Sequence, residues 1–131
     1  MIVIDTHIWL WWLSNPEKLS QEAAEHIDRE SKNGHICISS ISVWEIAMLV
    51  AKGRLELSIG VSDWLAASEL LPFIKFVPVS NKIALQSVLL PGALHNDPAD
   101  RMIISTAIVM NAPLVTSDKK LIAYPFVKSI W

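Results

Sequence analysis

The chain has a single cysteine among 131 residues, and one thiol can close neither an internal disulfide nor a zinc cluster. Cys37 sits inside the apolar run His-Ile-Cys-Ile-Ser and reads as buried packing. Positive charge is not in excess either, because 11 Lys and Arg against 13 Asp and Glu leave a formal net charge of −2. A nucleic-acid partner would therefore have to be attracted by local lysines or through metal. No uninterrupted apolar run approaches the ~18 residues of a membrane span. The opening Met-Ile-Val-Ile-Asp-Thr-His carries an acid where a secretory leader needs a basic segment, so a cytoplasmic protein with no membrane partner is expected. Paired metal-ligand spacing is missing among His7, His26, His35 and His95, which argues against zinc. Repeats, low-complexity tracts and linkers are absent too. With 52% hydrophobic residues, residues 1–131 are expected to fold as one domain with a real core.

What is present is an alternation of short apolar runs with helical stretches. Ile2 to Ile4, Ile36 to Ser39, Lys75 to Val79, Pro113 to Thr116 and Val127 to Ile130 read as strands, the first without polar alternation and hence buried on both faces. Helices are expected over Ile8 to Leu13, Ser20 to Lys32, Ile41 to Lys52 behind a Ser40 cap, Ser62 or Asp63 to Leu71, and Ser80 to Leu89. Asp97-Pro98-Ala99-Asp100 reads as N-cap, N1 proline and acidic third position of a further helix reaching Asn111, and Asp118 to Ala123 as a short one. The alternation predicts an α/β fold, a parallel sheet of about five short strands with helices on both faces.

Five acids stand where strands hand over to helices: Asp5, Glu45, Asp97, Asp100 and Asp118. Parallel sheets bind ligands at that rim, so these carboxylates can converge. Aspartate is also a common N-cap, which by itself accounts for Asp5, Asp97 and Asp118. Glu45 is the acid that capping explains least. It lies beyond the first turn and is the only ionisable residue between Ile41 and Ala51, in a helix apolar enough to require burial or a partner. Asp100 sits in a similarly apolar helix, with a salt bridge to Arg101 or a capping box as its structural alternative. Clustered carboxylates repel, and a hard cation removes that cost. Mg²⁺ suits oxygen ligands, with Mn²⁺ as a substitute.

The acid after the first strand in Ile-Val-Ile-Asp-Thr-His, the Ser-Val-Trp-Glu-Ile-Ala segment, the Asn-Asp-Pro-Ala-Asp-Arg-Met-Ile-Ile stretch and Leu-Val-Thr-Ser-Asp follow one another along nearly the whole chain. In this order they resemble the PIN domain, and more narrowly the VapC-type toxins of bacterial toxin–antitoxin pairs. The resemblance implies a metal-dependent endoribonuclease, with Asp5, Glu45, Asp100 and Asp118 as the catalytic acids. Asp5, Asp100 and Asp118 would hold Mg²⁺ or Mn²⁺. Asp97 would support them, and so would the hydroxyls of Thr6, Thr116 and Ser117. It also implies an RNA substrate, a homodimer and a small antitoxin that inserts a segment, often with a basic residue, near the acids. One departure is the Met48-Leu49 pair, where the subgroup often carries a lysine. Lys52, Arg54, Arg101, Lys119 and Lys120 are then the remaining cations for RNA.

Two other readings compete. A degenerate PIN-like domain would use its apolar helices for protein association alone, the acids being caps. A phosphoacceptor receiver domain would want paired acids after strand one and an acid closely following strand three, and neither is present. Six tryptophans, Trp9, Trp11, Trp12, Trp44, Trp64 and Trp131, are many for this length, and aromatics are enriched at interfaces.

Overall fold

A computed structural model describes residues 1–131. Its order is β1 (Ile2–Ile4), α1 (Thr6–Ser14), a 3-10 turn (Pro16–Lys18), α2 (Gln21–Asn33), β2 (Ile36–Ser39), α3 (Ser40–Ala51), α4 (Val61–Glu69), β3 (Ile74–Val77), α5 (Asn81–Val88), α6 (Pro98–Met110), β4 (Leu114–Val115), α7 (Lys119–Ile122) and β5 (Ser129–Ile130). The strands form one five-stranded sheet in the order β3-β2-β1-β4-β5, and every pairing is parallel.

The apolar runs lack polar alternation because both faces of the sheet are covered. Side chains one residue apart point to opposite faces. Ile2, Ile4, Ile36 and Ile38 pack with Ile8 and Trp9 of α1, Ile27 of α2, Ile46 of α3 and Trp64 of α4. Val3, Cys37 and Leu114 pack on the other side, with Ile83 of α5, Ile103 and Ala107 of α6 and Leu121 of α7. The chain thus winds from β1 outward to β3 with α1 to α4 on one face, then returns across β1 to β4 and β5 with α5 to α7 on the other. Right-handed crossovers demand this change of face when the direction of winding reverses. The reversal opens a switch point between β1 and β4 at the carboxyl edge, where doubly wound sheets bind ligands.

Several boundaries differ from the sequence expectation. Ser39, not Ser40, caps α3, its hydroxyl accepting from the Ile41 N–H at 3.2 Å. Helix α4 starts earlier, behind Gly60. Strand β3 ends at Val77, because Pro78 has no N–H to continue the ladder. The Asp97-Pro98 start of α6 is as read, with Asp97 accepting from the Asp100 N–H at 3.0 Å. Gly53 supplies the positive-φ turn after α3 at φ 68°.

The tryptophans divide. Trp9 is buried, its ring 4.5 Å from Trp64 and 5.6 Å from Phe76 between centroids. Trp11 faces Trp131 at 6.1 Å, and Trp12 faces Phe73 at 5.9 Å. Trp44 stands 55% exposed on α3. That helix, expected to be buried or covered, fully buries only Ser42 and Ile46 within this chain. Truncation separates the two roles: Trp9→Ala is expected to lose about 3–5 kcal/mol of stability in urea titration. Trp44→Ala should stay within about 0.5 kcal/mol of the parent. Equal losses would contradict this division.

Candidate active site

At the carboxyl edge each acid is delivered by a different element. Asp5 ends β1 and caps α1, its Oδ1 accepting from the Thr6 N–H at 2.7 Å. Its Oδ2 accepts from the Thr116 hydroxyl at 2.8 Å, across the β1–β4 pairing that places Ile4 opposite Val115. The Thr116 hydroxyl oxygen accepts in turn from the Asp118 N–H at 3.1 Å, and Asp118 caps α7 by accepting from the Lys120 N–H at 2.8 Å. One threonine therefore ties the first acid to the last. Asp5 is 7% exposed and Thr116 fully buried, so this link is sheltered from water.

Thr6 makes a second link. Its Oγ1 lies 2.6 Å from Glu45 Oε1 and 2.8 Å from Ser42 Oγ. A hydroxyl has one proton and a carboxylate only accepts, so Thr6 donates to Glu45 and accepts from the Ser42 hydroxyl. The start of α1 is thereby fixed to α3, one turn apart on the same helix face. Asp100, in the first turn of α6, meets His95, whose Nε2 lies 2.7 Å from its Oδ2. With Asp100 ionised, that nitrogen donates.

Burial and mutual proximity shift three of these acids. The Asp5 carboxyl is raised by burial, against the lowering effect of Thr116 and the Thr6 N–H, with Asp100 raising it further. Glu45 is raised by burial, relieved by Thr6, and raised again by Asp5, Asp100 and Asp97. Asp100 is raised by burial, relieved by His95, and raised by Asp97 and Asp118. Like charges from four elements thus act on one another at one edge.

Residues 2–127 match the PIN domain family. The chain belongs to the PIN-domain family. It is 33% identical to Ribonuclease VapC22 of Mycobacterium tuberculosis over 120 residues, which cover 92% of this chain and 88% of that protein. Two solved structures share the PIN fold along nearly the whole chain. VapBC2 from Rickettsia felis bound to a promoter DNA fragment matches with a TM-score of 0.70 at 23% identity, covering 98% of this chain and 97% of that one. FitAcB from Neisseria gonorrhoeae matches with a TM-score of 0.69 at 19% identity, covering 98% and 96%.

Within this PIN domain, the edge gathers Asp5, Thr6, Glu45, Asp100, Thr116 and Asp118, while the exposed Asp97 stays at the helix start. Ser117 is half-buried and its hydroxyl bonds to none of the acids. Arg101 forms no salt bridge to Asp100; its guanidinium is spent on backbone carbonyls. The contact of Ser42 had no signature in the sequence, because Ser42 is joined to Thr6 only by the packing of α1 on α3; His95 is the one histidine that the sequence puts near the rim, as a candidate proton donor, but its pairing with Asp100 depends on the path of an irregular loop. Lys52, Arg54, Lys119 and Lys120 are exposed.

The donor set suits a hard cation. Glu45 Oε2, Asp100 Oδ1 and Asp118 Oδ2 take no hydrogen bond from the protein, and burial first, then neighbouring acids, raise the Glu45 and Asp100 carboxyls. No three acidic, imidazole or thiol groups close into a ready-made cage. Mg²⁺ does not require one, since it keeps several waters and takes one or two carboxylates together with substrate phosphate.

The shifted acids set a pH dependence. A carboxyl whose folded pKa lies above its unfolded one holds extra protons in the folded state, so stability is lost as pH rises through the interval between them. In metal-free buffer near pH 7, Glu45→Gln is therefore expected to melt higher than the parent. The gap should close as pH falls toward the ordinary glutamate value of about 4.3. Thermal melts in chelator across pH check this, and a variant less stable at pH 7 would contradict the crowding of charge.

Proposed function

We propose that the protein is a VapC-type toxin, an endoribonuclease that hydrolyses RNA phosphodiester bonds with Mg²⁺, or Mn²⁺ in its place. The observation that carries this reading is the crowding of Asp5, Glu45, Asp100 and Asp118 at the switch point, with three carboxylate oxygens unpaired. The 33% identity to a protein named a ribonuclease supports the substrate class.

Asp5 is the fixed member, held at both oxygens by Thr6 and Thr116. A rigid, buried carboxylate keeps its geometry without reorganising when charge develops nearby. Asp100 and Asp118 offer their free oxygens beside it. Bound Mg²⁺ would supply charge neutralisation on the phosphate and a more acidic water. Glu45 would accept the proton of attacking water through Oε2, because burial, and then neighbouring acids, raise its proton affinity. Water attack leaves a 3′-hydroxyl and a 5′-phosphate and does not use the RNA 2′-hydroxyl.

Protein partners follow from the surface. A groove of about 420 Å³ runs between α3 and the start of α6, walled by Trp44, Met48, Pro98 and Met102 and bordered by Glu45 and Asp97. Apolar walls ending at acids fit an antitoxin segment that carries apolar anchors and a basic residue. Leu85, Val88 and Leu89 stand exposed at the end of α5, and with the half-exposed α3 they support a homodimer. The apolar groove beside the acids favours one alternative, a non-catalytic PIN-like interaction module.

Cleavage of a mixed transfer, messenger and ribosomal RNA pool separates the readings. Mg²⁺-dependent cutting, abolished by chelator, is expected of the parent. Asp5→Asn should fold normally and lose more than the ~10–100-fold typical of a lost supporting hydrogen bond. Undiminished cutting by Asp5→Asn would overturn the assignment, and an inert parent would favour the interaction module. Light scattering at micromolar concentration should find a dimer; a clean monomer would remove the dimer proposal.

A further inference from the structure

Arg101 follows an acid of the site, yet its guanidinium turns to the backbone. Its Nε donates to Ser87 O at 2.8 Å, its Nη1 to Leu94 O at 3.0 Å and His95 O at 3.4 Å, and its Nη2 to Val88 O at 3.5 Å. These are carbonyls left open at the end of α5 and in the loop that follows. The loop is also held at its start, where the Tyr124 hydroxyl donates to Pro91 O at 2.6 Å. It turns at Gly92, where a φ of +71° strains any other residue and an added Cβ would meet a Phe126 ring carbon at 2.8 Å. Residues 90–96 are therefore pinned at both ends. What they present at the pinned end is His95, with Nε2 2.7 Å from Asp100 Oδ2.

We infer that Arg101 and His95 are positioning residues acting as one clamp: Arg101 fixes the loop backbone, and the loop's imidazole holds the Asp100 carboxylate by Oδ2, leaving Oδ1 for a divalent cation. The inference rests on the metal-dependent reading of the site. A planar fork can reach several carbonyls at once, whereas a lysine ammonium on a flexible stem cannot hold the same set. Neither residue is asked to touch RNA.

Mn²⁺ binding to the full-length chain, measured by calorimetry, tests the clamp without reference to cleavage. His95→Ala is expected to weaken binding about 10-fold at an unchanged melting temperature, as loss of an orienting partner does. His95→Gln, whose amide nitrogen can take the place of Nε2, should restore most of it. Arg101→Lys should weaken binding in the same direction, and its combination with His95→Ala should cost little more than either alone. Unchanged or tighter binding in His95→Ala, or no rescue by His95→Gln, would overturn the clamp; tighter binding would mean that the imidazole blocks the cation. If the parent binds Mn²⁺ with this pattern but cuts no RNA, the ribonuclease reading fails while the clamp stands.

Discussion

The register of β1 against β4, Ile4 opposite Val115, brings Asp5 beside Thr116, and the site depends on it. A shift of one residue would turn the side chains of β4 to the opposite faces and take the Thr116 hydroxyl away from the Asp5 carboxylate. The register is itself held by packing, since Ile4 and Val115 fill one core and Val3 and Leu114 the other. A two-residue strand fixes little alone. Here it is fixed because both faces are apolar and closed. The hydrophobic core therefore sets the acids' relative positions.

That arrangement carries a cost in the metal-free protein. Four carboxylates meet at one edge, and three are pushed toward protonation by burial and by one another. Structural caps do not need such crowding: Asp97 caps α6 from an exposed position, without burial. Glu45 caps nothing. Its presence on α3, tied to Thr6, is the part of the arrangement that stability alone does not explain.

Much of this was legible in the chain. The unbroken apolar runs, the Asp-Pro helix start and the helix stops predicted five strands and their alternation with helices, and the handedness rule then left few topologies. Convergence of Asp5 and Asp118 needed only the adjacency of their strands. Sequence could not show how the acids are held. Thr6 to Ser42 and Glu45 spans more than thirty residues, and Thr116 to Asp5 spans 111. The salt bridge from Arg101, one of the alternatives open for Asp100, does not form for the same reason: carbonyls at the end of α5 and in the loop after it take up its fork. Nor could sequence show that α3 remains half-exposed, since apolarity marks a helix that will be covered without saying by which chain.

The central claim is that the acids form one divalent-cation site at the β1–β4 switch. Crystals of the full-length chain grown with Mn²⁺, and diffraction recorded to exploit its anomalous signal, test it most directly. The account predicts a peak at the carboxyl edge within direct or water-bridged reach of Asp5, Asp100 and Asp118, with carboxylate oxygens at roughly 2.0–2.2 Å where the contact is direct. Saturating Mn²⁺ with no peak there, or a peak only at remote surface carboxylates, would contradict it.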